Sequence, residues 1–223
     1  MLASDTTTSF TKSRRVENPL ETEFGRELAE IYKTLRSSRT LEDGLDKIKW
    51  PLLNLLGADQ FTVYRNDPNG KELRSYYRSG PVWDIDRLNV VVPYSPATPA
   101  GYAALNQRPL LIADISDQEK LHNIHPQLTF TETEKNIFGK QLTSVVVAPI
   151  KDKVALGVIE VISLDGNSLS QETLSRVKVL SHILAHLLQP DVQNLGKSGP
   201  YDKLIEMGVL TAEQLMEVQK NAF

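Results

Sequence analysis

Apolar residues recur with helical spacing where the chain first shows a pattern. Phe24, Leu28, Ile31, Tyr32 and Leu35 fall on one face of a helix. Thr40, with Asp43 three residues on, reads as the N-cap of a second amphipathic helix carrying Leu41, Leu45, Ile48, Leu52 and Leu56. Pro51 is expected to kink that helix, because proline removes a backbone donor and clashes with the preceding turn; Gly57 is expected to end it. The period then changes to two. Phe61 to Arg65 alternates as a strand, Asn66-Asp67-Pro68-Asn69-Gly70 supplies turn dihedrals, and Leu73 to Arg78 returns. Leu88 to Pro93 makes a third strand. Thr98 followed by Pro99 predicts another capped helix, short and built from small residues, ending before Arg108-Pro109. Leu110 to Ile112 is a short buried strand.

Residues 114–139 are polar and irregular and predict a loop with one or two short helices. Ser144 to Ile150 and Ala155 to Leu164 are two strongly apolar strands joined through Lys151-Asp152-Lys153, and Asp165-Gly166-Asn167 closes the sheet region. Ser170 then caps a helix with Leu174, Val177, Leu180, Leu184 and Leu187 on its apolar face, stopped at Pro190. Hairpin-linked strands with helices set apart from them predict an α+β fold, an antiparallel sheet of about six strands with helices packed on it. The expected divisions are a flexible leader at 1–20, one domain at 21–190, a linker at 191–200 and a short helical segment at 201–223. In that last segment Thr211 with Gln214 forms a capping-box pattern.

Composition narrows the chemistry. The 223 residues include no cysteine, so disulfides, thiolate nucleophiles and thioether-linked chromophores are excluded. The net charge of −3 gives no field that would draw the chain to nucleic acid or to an anionic membrane. No apolar run approaches the roughly 18 residues of a membrane helix, and the Ser- and Thr-rich start has no apolar signal region, so a cytoplasmic location is expected.

The candidate catalytic and metal motifs fail on spacing. Gly196-Lys197-Ser198 resembles the end of a phosphate-binding loop, but the glycine required five positions earlier is Asp191. His182 and His186 have the spacing of a two-histidine metal face. The intervening position that a zinc hydrolase fills with glutamate is Ile183. His122 and His125 lie near Asp114 and Asp117 and read better as a solvated loop than as a metal site. Asp86, Glu132, Glu134 and Glu160 show no pairing for acid–base work. Glu160, inside the run Val158 to Val161, is expected on the outer face of its strand. No catalytic residue, cofactor or metal is expected.

Three stretches carry a family resemblance. They are Pro99 to Asp114, with its glycine, small residues, a polar residue before proline, an apolar strand and an aspartate; Ser144 to Ile150; and Leu156 to Ile162. Together they resemble a GAF domain spanning Phe24 to Gln189. The resemblance implies a regulatory fold with a pocket over its sheet. The cysteine-dependent branches of the family, the bilin binders and the methionine sulfoxide reductases, lack their essential residue here. The Asn-Lys…Phe…Asp-Glu signature of the cyclic-nucleotide branch is absent too. Separately, Leu204 to Leu215 is similar to the N-terminal helical domain of type II secretion and type IV pilus assembly ATPases, which implies a link to that machinery. The Arg-Leu-Gly start that some of those proteins use for cyclic di-GMP is replaced by Gly199-Pro200-Tyr201.

The resemblance puts the pocket near Tyr94 to Asp114, and the ligand-binding candidates are Trp83, Tyr94, Thr98, Tyr102 and Asp114. Tyr76 and Tyr77 join the aromatics near its rim, and aromatic packing explains these rings as well as ligand stacking does. Asp114 is open to two roles, hydrogen bonding a ligand or capping its own loop. Two functions remain open: a sensory domain that binds a small molecule, and a ligand-free module that pairs copies of the chain into a homodimer. The second would use Leu28, Ile31, Leu35, Leu180, Ile183 and Leu187.

Overall fold

The computed structural model describes residues 23–67, 71–79, 90–137 and 139–189. The expected leader, linker and C-terminal helical segment, the turn at 68–70 and Trp83 lie outside these residues. The elements run α1 (Glu23–Ser37), α2 (Leu41–Leu56), β1 (Gln60–Asn66), β2 (Glu72–Arg78), β3 (Val91–Pro93), α3 (Pro99–Asn106), β4 (Leu110–Ile112), α4 (Gln118–Ile124), α5 (Glu132–Lys135), β5 (Asn136–Ile137), β6 (Lys140–Lys151), β7 (Ala155–Leu164) and α6 (Gln171–Leu187). The sheet has the order β3-β2-β1-β7-β6-β4, with β5 paired onto β6, and every pairing is antiparallel. This is the expected α+β architecture.

Local chemistry sets the element ends. Thr40 accepts a hydrogen bond from the Asp43 amide at 3.1 Å and opens α2. Gly57 closes it in the left-handed region at φ 62°. Between them α2 runs on through Pro51, whose side chain is exposed. Ser170 opens α6 in a capping box with Thr173.

Both faces of the sheet are covered, which explains why β6 and β7 read as almost unbroken apolar runs. Alternate side chains divide between two cores. Phe61, Val63, Val146, Ala148, Ile150, Ile159 and Val161 pack under α1, α2 and α6. Tyr64, Val145, Val147 and Val158 face the other way, toward Ala100, Ala103 and Ala104 of α3 and Leu121 of α4. β7 lies close against β1: a Cβ on Gly157 would sit 1.9 Å from the Tyr64 carbonyl oxygen.

The expected interface residues fall within this packing. Leu28, Ile31, Leu35, Leu180 and Ile183 are each exposed by 4% or less, inside the core that α1, α2 and α6 form with the sheet. Leu187 packs against its edge, half-buried. The helices use the five buried side chains to cover the sheet of their own chain.

Candidate ligand-binding cavity

The second face of the sheet is incompletely filled. Between it and the start of α3 lies a cavity of about 650 Å³, inside the size range of small-molecule sites. Its floor is polar. The pleat of β1 sends Gln60, Thr62 and Tyr64 to this side, and the register pairs Thr62 with Glu160 of β7 and with Arg78 of β2. Its walls are mainly apolar: Val90 and Val92 beside β2, Pro99 and Ala100 of α3, Phe130 and Ile137 opposite, and Leu142, Val145 and Ile162 from the sheet.

The α3 wall exists because of a local sequence device. Thr98 accepts from the Gly101 amide at 3.2 Å, and Pro99 takes the first helical position with its φ already suited to it. The helix sits down on the preceding loop through Gly101, where a Cβ would meet the carbonyl oxygens of Pro93 and Ser95, each at 2.6 Å.

The floor holds a hydrogen-bonded pair. Tyr64 donates its phenolic proton to Glu160 Oε2 at 3.0 Å. Burial raises the Glu160 carboxyl above its usual value; the Tyr64 hydrogen bond and the positive charge of Arg78 oppose that shift, and Glu134 adds to it. Burial, followed by the Glu160 charge, raises the Tyr64 phenol well above its usual value. Gln60 is 1% exposed, yet neither its carboxamide nitrogen nor its oxygen has a hydrogen-bond partner among the described residues. Buried amide groups are rarely left this way, since the lost hydration is not replaced.

The sequence predicts five ligand-binding residues in this region. Thr98 lines the cavity and caps α3. Tyr94 is half-buried in the second core but does not line the cavity. Tyr102 points elsewhere, with its ring edge-on to His125 at 6.5 Å. Asp114 is exposed. Its Oδ1 accepts from the Ser116 amide at 2.8 Å and the Ser116 hydroxyl at 2.6 Å, bonds that hold its carboxyl below the usual range. It caps its own turn. Trp83 lies outside the described residues. The polar cavity-lining side chains that the sequence reading did not single out are Gln60, Thr62, Tyr64 and Arg78. Glu160, expected on the outer face of its strand, is turned inward over the cavity floor.

A larger groove of about 780 Å³ lies outside, along α1 and α2. Its rim carries Glu23, Arg26, Glu27, Glu30 and Lys47, all exposed, and it has no buried polar floor. A solvated helical surface accounts for it.

The comparisons with known proteins follow this geometry. The family model for the GAF domain matches residues 40–188. No curated protein matches the chain. Among solved structures, the GAF domain of a phosphoenolpyruvate-protein phosphotransferase from Coxiella burnetii is 16% identical, with TM-score 0.57, covering 84% of this chain and 97% of that one. The free methionine-R-sulfoxide reductase of Neisseria meningitidis, in complex with its substrate, is 16% identical with TM-score 0.57, covering 85% and 99%. The chromophore-binding domain of the Stigmatella aurantiaca bacteriophytochrome is 16% identical with TM-score 0.53, covering 80% and 63%. At these identities the likeness concerns the fold.

Proposed function

The chain belongs to the GAF domain family, and from that premise we propose that it is a regulatory domain that senses a small molecule held in the cavity between the sheet and α3. The observation that carries this is the cavity itself, with apolar walls over a floor that contains an unpaired buried carboxamide. Structures of the same fold include one described with its substrate and one described as chromophore-binding. Catalysis is not part of the proposal. With no cysteine, the chain cannot perform thiol chemistry, and the floor groups do not present a nucleophile with an adjacent base.

The test is a thermal-shift screen of small metabolites against the native chain and against Ala100→Phe, which fills the cavity from α3. A ligand at about 100 times its Kd adds about 2.7 kcal/mol, which is roughly 5–10 °C for a domain of this size. Ligands should shift the native chain and leave the filled variant unshifted, while the unliganded melting of the variant reports that it folds. Equal shifts in both would remove the cavity from the account.

The link to a secretion or pilus assembly ATPase rests on residues 204–215, which lie outside the described residues. It belongs to the proposal on the strength of that sequence alone. An ATPase domain encoded in frame with this chain would support it, and a complete gene without one would refute it.

A further inference from the structure

The cavity floor also says what kind of molecule it suits, given the ligand-binding role proposed above. We infer that the ligand is a formally neutral, largely apolar molecule with a hydrogen-bond donor and an acceptor side by side, as on the edge of a lactam, a primary amide or a cyclic imide, and that this edge pairs with Gln60.

The pairing follows from the chemistry of the orphaned group. A carboxamide offers an N–H donor next to a carbonyl acceptor. In Gln60 both are unsatisfied at once. A single hydroxyl or ether on a ligand would satisfy one and leave the other buried. An amide-like edge satisfies both through two parallel hydrogen bonds. Gln60 lines the cavity but is 1% exposed, so the pairing requires its carboxamide to turn toward the ligand.

Neutrality follows from the charges already present. Arg78 and Glu160 both line the floor and oppose one another across Tyr64 and Thr62. Glu134, at the mouth, already accepts from the Thr131 amide at 2.7 Å and from the Thr131 hydroxyl at 2.8 Å. A carboxylate or phosphate on the ligand would meet Arg78 but also Glu160 and Glu134, and an ammonium group would meet the two carboxylates but also Arg78. Either charge is opposed as well as attracted and gives up its hydration besides, whereas a neutral group faces neither cost. The remaining contacts available to the ligand, from Val92, Pro99, Ala100, Phe130, Val145 and Ile162, are apolar.

A matched series of ring compounds separates these features: 2-quinolinone, which has the donor–acceptor edge; 1-methyl-2-quinolinone, in which the donor is capped; quinoline-2-carboxylate, an anion; and the cationic 4-aminoquinaldine. Binding is followed by titration calorimetry and ligand-detected NMR with the native chain and with Gln60→Met. The native chain should prefer 2-quinolinone over its methylated form by about 10-fold or more, and over both charged probes by at least as much. In Gln60→Met the preference over the methylated form should fall to about 2–3-fold or less. Four results would each overturn the inference: equal binding of the lactam and its methylated form, tighter binding of a charged probe, a preference unchanged in Gln60→Met, or no lactam binding by the native chain at millimolar concentration. In the last case, hits from the thermal-shift screen that Ala100→Phe abolishes would still uphold ligand sensing. The comparison among probes on the native chain stands even if the variant does not fold.

Discussion

Replacing Gln60 with methionine should make the unliganded protein more stable. The two side chains are similar in length, shape and flexibility, so the conformational entropy lost on folding changes little. What changes is the end group. In the native chain a carboxamide that is 1% exposed has left water without gaining a partner for its nitrogen or its oxygen. A buried polar group left unsatisfied costs about 1–3 kcal/mol, and an apolar group of the same shape does not carry that cost. Gln60→Met should therefore gain about 1–3 kcal/mol. At roughly 2–4 °C per kcal/mol for a domain of this size, the melting temperature should rise by about 2–12 °C. Scanning calorimetry of both proteins without ligand, at one pH and concentration, measures this. The accompanying loss of lactam binding would be the usual trade between stability and a site held ready for use. A fall in melting temperature of about 2 °C or more would refute the reasoning, because it would mean that the Gln60 amide already makes hydrogen bonds worth keeping.

Three further predictions come from the same site. The folded-state pKa of Glu160 is raised above its ordinary value of 4.5, so its contribution to stability is full below that value and is lost as pH rises through the raised one. Glu160→Gln, still able to accept from Tyr64, should match the native chain near pH 4 and gain on it toward about pH 8; a pH-independent difference in melting temperature would contradict this. Gly157→Ala drives a methyl group into the Tyr64 carbonyl oxygen and should cost about 3 kcal/mol or more in urea unfolding, since the obstacle is backbone; a loss under about 1 kcal/mol would show that β1 and β7 can separate freely. Thr98→Ala removes the cap of α3 and should cost about 0.5–2 kcal/mol, with weaker ligand binding because α3 forms a cavity wall; unchanged stability and binding would refute the capping argument.

The sequence made the elements legible wherever a local device sets them. Thr40, Gly57, Thr98 and Ser170 each cap or end a helix where their type and spacing predicted. The apolar stripe of α1 was also plain, but what it faces was not. Leu28, Ile31 and Leu35 looked like spare hydrophobicity for a second copy, because a one-dimensional pattern cannot show that α1, α2 and α6 share one face of the sheet. The cavity floor was harder still. Gln60 and Thr62 are ordinary residues in an alternating strand. Their role appears only when the antiparallel register sets Thr62 beside both Glu160 and Arg78, positions 98 and 16 residues away in sequence. Glu160 carried the one available signal, a carboxylate inside an apolar run. An outer face was the natural inference for a sheet covered on one side. This sheet is covered on both, so the pleat sends Glu160 to the second core. Among the aromatic candidates, Tyr102 takes the side of α3 toward His125, since proximity in sequence does not fix which side of a helix a ring takes.

Native mass spectrometry of the freshly purified chain, compared with Ala100→Phe, tests the central claim most directly. The account predicts that the native chain retains one small molecule per chain, or takes one up from a metabolite extract, and that the filled variant does neither. A native chain that stays bare after exposure to the extract, or a filled variant that carries the same added mass, would contradict it.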